Sequence, residues 1–213
     1  VHSRGYPPYF NLSSLKKIPK EKSIIWRLSD MWAFTGFCPY SFDCTKFKCH
    51  CGSCPQLSYD SHKAELPKPK FDFSCHQIKR KKRIYSKLNL FMVAPSKWMK
   101  NLAVSSCLSV KPIREIPVGI DTRLFRQNGR SESRDRLGIG EEELVLACNI
   151  PNLNNYRKAF DLLKDVLTLL SKKHKFSLMI IGSQKDHDLF SKLLFPVFCT
   201  GFLDTDVDLA RSY

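Results

Sequence analysis

Cys38, Cys44, Cys49, Cys51 and Cys54 fall within the seventeen residues CPYSFDCTKFKCHCGSC. A structural zinc ion takes four thiolate or imidazole ligands in a tetrahedron, and two residues between paired cysteines suit that geometry. Cys51 and Cys54 form such a pair around Gly52. Cys38 and Cys44 are expected to supply the other two ligands, with Cys49, Cys75, His50 and His76 as spare candidates. Disulfides or unligated thiols stapling the segment fit the same crowding. Nine cysteines are an odd number, and their spacing is too crowded for a tidy disulfide framework in a chain of 213 residues. Reduced thiols in a cytosolic compartment therefore fit better. Cys107, Cys148 and Cys199 stand in apolar stretches and are expected to be ordinary buried cysteines.

A second constellation is suited to phosphate. The Asn-rich loop NIPNLNNYRK precedes an amphipathic segment and places Arg157 and Lys158 in the first turn of the expected helix. Backbone N–H groups and the helix dipole favour an anion there, and two cations would reinforce it. Exposed basic residues without a ligand explain the same pattern. The third constellation is RLSDMW, where Ser29 and Asp30 end an apolar run, at the kind of strand end where ligands gather in doubly wound sheets. Asp30 capping the next segment is the alternative.

The elements that must position these residues follow from periodicity. SIIWRL at 23–28 and LFMVA at 90–94 read as strands buried on both faces of a parallel sheet. Between them lies an irregular insert, interrupted by Pro67 and Pro69, and then a basic helix from Cys75 to Leu88. Ser96 is placed to cap a helix of two to three turns. KPIREIPVGID continues as a strand into a turn, with Gly119 free to adopt a positive φ. The polar stretch from Leu124 to Gly140 holds one short helical signal, SESRDRLGI, and marks a boundary. Beyond it, ELVLAC at 143–148, RKAFDLLKDVLTLLSKK at 157–173, FSLMIIG at 176–182, DHDLFSKLL and PVFCTGF read as β-α-β-α-β, half of a doubly wound sheet. The fold class expected is α/β with two parallel-sheet domains, 1–123 with a cysteine-rich insert at 38–75, and 124–213.

Charge is uneven. Residues 1–111 carry 20 Lys and Arg against 6 acids, net +14, whereas residues 112–213 carry 15 against 14, net +1. The first half is thus expected to meet an anionic partner, with KRKKR at 79–83 as its densest cluster; a solvated basic face is the alternative. No apolar run approaches the roughly 20 residues of a membrane-spanning helix. Val1 and Tyr213 both look like cut ends.

WRLSDMWAFTGFC, CGSCPQL, MVAPSKWMKNLAVSS, IPVGIDTRLF and NYRKAFDLL, in that order, resemble glycosyltransferase family 4, in particular its colanic-acid and exopolysaccharide type with a cysteine insert. The resemblance covers about residues 20–213. It implies a GT-B fold of two Rossmann-like domains, each incomplete here, with the active site in their cleft. The activity implied is transfer of a sugar from a nucleotide-sugar donor to a glycan or lipid-linked acceptor, with retention of configuration and no catalytic metal. Lys158 matches the family's donor-phosphate lysine, followed here by Ala159 in place of the usual Gly. Asn149 stands near the place of the family's phosphate-binding Arg, which Arg157 would replace. Ser29 sits where many members have His, ahead of the kept aspartate Asp30; these two are the catalytic candidates. Val118 replaces a common Asn.

The resemblance further implies that a glycine loop before Val1 and an acidic motif after Tyr213 are missing, leaving the piece inactive alone. It also implies a cytoplasmic protein, peripheral at the inner face of an anionic membrane. The rival reading is a zinc-stabilised basic nucleic-acid-binding module; with no finger, helix-turn-helix or RNA-binding motif in the chain, nucleic acid is not the expected partner.

Overall fold

The apolar runs at 24–28 and 90–94 lie side by side as parallel strands. Their order and register follow from the helical crossovers that separate parallel neighbours. The computed structural model describes residues 2–3, 11–57, 70–127, 129–150, 153, 158–182, 190 and 193–213. The chain divides into two units, Val1–Gly119 and Ile120–Tyr213, against a boundary expected after Arg123. Both are α/β, and each carries its own parallel sheet.

In the first unit the strands are β1 (His2–Ser3), β2 (Ile24–Leu28), β3 (Leu90–Ala94) and β4 (Ile113–Glu115), in the order β1-β2-β3-β4. Ile24 pairs with Leu90, and Met92 with Ile113. Helix α1 (Ser74–Tyr85) precedes β3, and α2 (Lys97–Val104) crosses from β3 to β4. Ser96 caps α2, its Oγ accepting from Met99 N–H at 3.2 Å. The core gathers Trp26, Leu28, Phe34, Ile84, Tyr85, Leu90, Met92 and Leu108.

Burial along β2 and β3 alternates, which corrects the expectation of strands covered on both faces. Trp26 and Met92 pack inward, while their neighbours Ile25 and Phe91 are 62% and 42% exposed. One face carries the core, and Ile25 and Phe91 stand on the other. Gly119 is likewise corrected: it is not among the glycines at positive φ, and a side chain there would meet nothing within 4 Å.

The second unit holds α3 (Arg130–Leu137), β5 (Val145–Asn149), α4 (Phe160–Leu170), β6 (Ser177–Ile181), β7 (Val197–Gly201) and α5 (Asp206–Arg211). Its sheet runs β5-β6-β7, all parallel. β6 is central, and all five of its residues are buried. Helix α4 starts at Phe160, later than the expected 157, because Ala159 takes a left-handed conformation, φ 49° and ψ 38°. Of its apolar stripe Phe160 and Leu167 are buried, but Leu162, Val166 and Leu169 are exposed, so the stripe is wider than the core it meets. Most of the helix expected at DHDLFSKLL lies outside the described residues. Among the described residues no helix is long and apolar enough to cross a membrane.

Candidate functional site

The cysteine insert folds as short 3₁₀ turns, Lys46–Lys48 and Pro55–Leu57, against the loop that follows β2. Cys38, Cys44, Cys51 and Cys54 all line one small cavity of about 10 Å³, together with Gly36, Phe47 and Ser74. The four residues singled out in the sequence are thus brought together, while Cys49 is exposed and neither Cys49 nor Cys75 lines the cavity. No two of the nine cysteines are joined as a disulfide in the structure. Among the described residues, no group of three or more His, Cys, Asp or Glu side chains stands as a ready-made metal set. The four cysteines share a cavity without being gathered into a coordination sphere.

Local geometry explains the gathering. Gly52 (φ 132°) and Ser53 (φ 42°) turn the chain between Cys51 and Cys54, and the Lys46 ammonium fastens that turn by donating to Ser53 O at 2.7 Å. Asp72 bridges the insert to the start of α1, accepting from Cys54 N–H at 2.8 Å and from Ser74 N–H at 2.9 Å. Gly36 lies so close to α1 that an added Cβ would sit 2.6 Å from Ser74 Cβ, and its N–H donates to Cys51 Sγ at 3.3 Å. Thr35 Oγ1 donates to Cys38 O at 2.5 Å, and Leu57 N–H donates to Cys54 O at 3.1 Å. Burial pushes Cys38 up to about 12 and raises Cys51 and Cys54, while the Gly36 N–H pulls Cys51 back.

At the end of β2, Ser29 is exposed and Asp30 is buried. Asp30 Oδ1 accepts from Trp32 N–H at 2.8 Å, opening the 3₁₀ turn Trp32–Phe34. This is an Asx-type turn one residue ahead of the N-cap, Met31, which has no side-chain cap of its own. Sequence reasoning missed a second residue at this loop. Lys81, third in KRKKR, is 2% exposed; its ammonium donates to Thr35 O at 2.9 Å and to Trp32 O, and lies 3.9 Å from the Trp32 ring centroid. Burial lowers its pKa to about 7, against the opposing pull of Cys107, Cys38, Cys51 and Asp30. The available signal was spacing: Ile78, Lys81, Ile84 and Tyr85 occupy one face of α1 at helical intervals. The expected basic patch is smaller as a result. Lys79, Lys82 and Arg83 are exposed, whereas Arg80 bonds Ser13 Oγ at 2.7 Å.

In the second unit Asn149 is exposed at the carboxyl end of β5, its Nδ2 donating to Tyr213 Oη at 3.2 Å. Lys158 is exposed and stands just before Ala159, the N-cap of α4, rather than inside the first helical turn. Arg157 lies outside the described residues. Asp161 occupies the first turn of α4 and pairs with Lys164 at 3.8 Å, already meeting part of the helix dipole. Cys107, Cys148 and Cys199, expected to be buried, are half-buried and pack against the edges of the cores. No known protein family matches the chain, and no curated protein matches it in sequence.

Proposed function

We propose that this chain is part of a GT-B glycosyltransferase that moves a sugar from a nucleotide-sugar donor to a glycan or lipid-linked acceptor with retention of configuration. The observation that carries the reading is the β5-α4 junction. A parallel strand ends at Asn149, and helix α4 starts at Phe160, two residues after Lys158, where an α/β sheet offers backbone N–H groups to an anion. Two units that each carry a parallel sheet are consistent with the two-domain architecture, and the ordered family-4 segments in the sequence support it. In this reading Lys158 and the N-terminus of α4 take up the charge that develops on the leaving diphosphate, with Arg157 as a second cation. Asp30, turned onto its own backbone, acts as a positioning residue for the loop after β2. Ser29 faces outward beside it. The nucleic-acid reading is weakened by the burial of Lys81, which takes a charge out of its central cluster.

Lys158→Ala is the direct test. Loss of one such electrostatic contact costs about 2.7–4 kcal/mol in the transition state, so sugar transfer from uridine or guanosine diphosphate sugars by the full-length enzyme should fall about 10²–10³-fold. The fold should survive, because the side chain is exposed. Unchanged transfer in the variant would overturn the assignment of the donor site.

A further inference from the structure

We propose that Cys38, Cys44, Cys51 and Cys54 together hold one zinc ion in a structural tetrathiolate site that clamps the cysteine insert onto the loop following β2. This stands apart from the donor site, lies wholly within the first unit, and does not depend on the enzyme being a glycosyltransferase.

The structure selects these four from the nine. They converge on one cavity, although up to 16 positions separate them in the chain. Its volume, about 10 Å³, is that of a single water-sized body. One ion suits such a space better than an iron–sulfur cluster, which carries several atoms between its cysteines.

One of the four sulfurs already meets a donor of the kind that orients metal-bound thiolates: Gly36 N–H reaches Cys51 Sγ at 3.3 Å. Cationic Lys81, buried among carbonyls at the same loop, lies within electrostatic reach of Cys38 and Cys51. A zinc ion with four thiolates carries two net negative charges, and a buried cation nearby offsets part of that. Ser74 supplies an independent sign of polar character: it lines the cavity, and its hydroxyl is buried without a partner at hydrogen-bonding geometry.

Coordination draws the four sulfurs in to about 2.3 Å from the ion and releases the protons of the thiols that bind. The clamp would then replace what the insert lacks, because its own apolar contribution to the core is small: Phe47 and Cys51 are its buried apolar side chains among the described residues. Holding the insert also holds Gly36 and Thr35, and through Thr35 O the Lys81 ammonium beside Asp30.

The chain, purified under reducing conditions, should contain about one equivalent of zinc by elemental analysis. After chelation, cobalt(II) should restore the intense sulfur-to-cobalt charge-transfer and tetrahedral ligand-field bands of a four-thiolate site. The double variant Cys51→Ser, Cys54→Ser should lose both the zinc and those bands, whereas Cys49→Ser, Cys75→Ser should keep them. Should the first variant fail to fold, the cobalt spectrum of the unaltered chain decides by its thiolate count. Substoichiometric zinc with no thiolate–cobalt bands, the absorption of an iron–sulfur cluster, equal loss of metal in the Cys49, Cys75 variant, or native disulfides among the four would each overturn the proposal.

Discussion

Lys81 shows what a single residue contributes when burial and hydrogen bonding compete. Its ammonium satisfies the carbonyls of Trp32 and Thr35 and packs on the Trp32 ring, in a place where an unpaired carbonyl would be costly. Lys81→Ala leaves both carbonyls without that donor and opens a cavity beside Tyr85 and Ile84. The expected loss is about 3 kcal/mol or more, measurable by urea unfolding of the first unit's transition. The residue also predicts a pH dependence. Its folded pKa, about 7, lies below the unfolded value of 10.5, so between these two values the unfolded chain binds more protons than the folded one. Stability from this group therefore rises with pH across that window. From pH 7 to 9 the gain is roughly 2 kcal/mol in metal-stripped protein, and it should vanish in Lys81→Ala. Zinc loading, by placing thiolate charge near the amine, should raise its folded pKa and shrink the gain. A stability difference between the two proteins that stays constant from pH 7 to 9 would contradict this account.

Among the elements, the start of α4 is where backbone conformation and sequence disagree. Ala159 adopts φ 49° and ψ 38° at the N-cap, in the left-handed region that costs a residue with a Cβ about 1–2 kcal/mol. Ala159 turns the chain into α4, where Phe160 packs edge-on against Phe190 at 6.2 Å while Lys158 stays exposed. Glycine is the residue that this backbone conformation favours. Ala159→Gly should therefore stabilise the second unit by about 1 kcal/mol, because relief of strain outweighs the added flexibility of the unfolded chain. Thermal unfolding checks this, and a lower melting temperature for the variant would refute it. Helix α3 uses glycine at both ends, Gly129 at φ 72° and Gly138 at φ 67°, in the same backbone region without a Cβ penalty.

At the scale of the whole molecule, charge separates the two units more sharply than fold does. Both carry parallel sheets, yet residues 1–111 hold +14 of the net +15. The cluster on α1 presents Lys79, Lys82 and Arg83 to solvent, with Lys81 inside and Arg80 engaged by Ser13. If the proposed lipid-linked acceptor is met at an anionic surface, each exposed cation contributes on the order of 1 kcal/mol, falling off within a Debye length of about 8 Å at physiological salt. Changing Lys79, Lys82 and Arg83 to Gln should weaken binding to phosphatidylserine vesicles by about 3 kcal/mol at low salt, with the fold intact. Changing all five basic residues would confound the experiment, because loss of Lys81 damages the core. Vesicle binding that is insensitive to the triple variant, or to salt, would show that this face is only solvated.

The sequence by itself determined the elements. LFMVA at 90–94, Ser96 as the cap of α2 and the central strand at 177–181 all follow from local rules: apolar runs, a hydroxyl before a helix, and alternation of strand with helix. It also picked out the four cysteines that share a cavity, because a two-residue spacer around a glycine constrains where a pair of thiols can point. Only the tertiary structure decided which faces are covered. Ile25 and Phe91 look like core residues but stand on the sheet face away from the core, and Lys81 looks like surface but lies buried against the loop after β2. Burial depends on what packs against a residue from a distant part of the chain. Local periodicity gives the direction of a side chain and leaves open what it meets there. For the same reason Asp30, readable as either a cap or a catalytic group, shows its hydrogen bond to Trp32 only once the loop after β2 is folded.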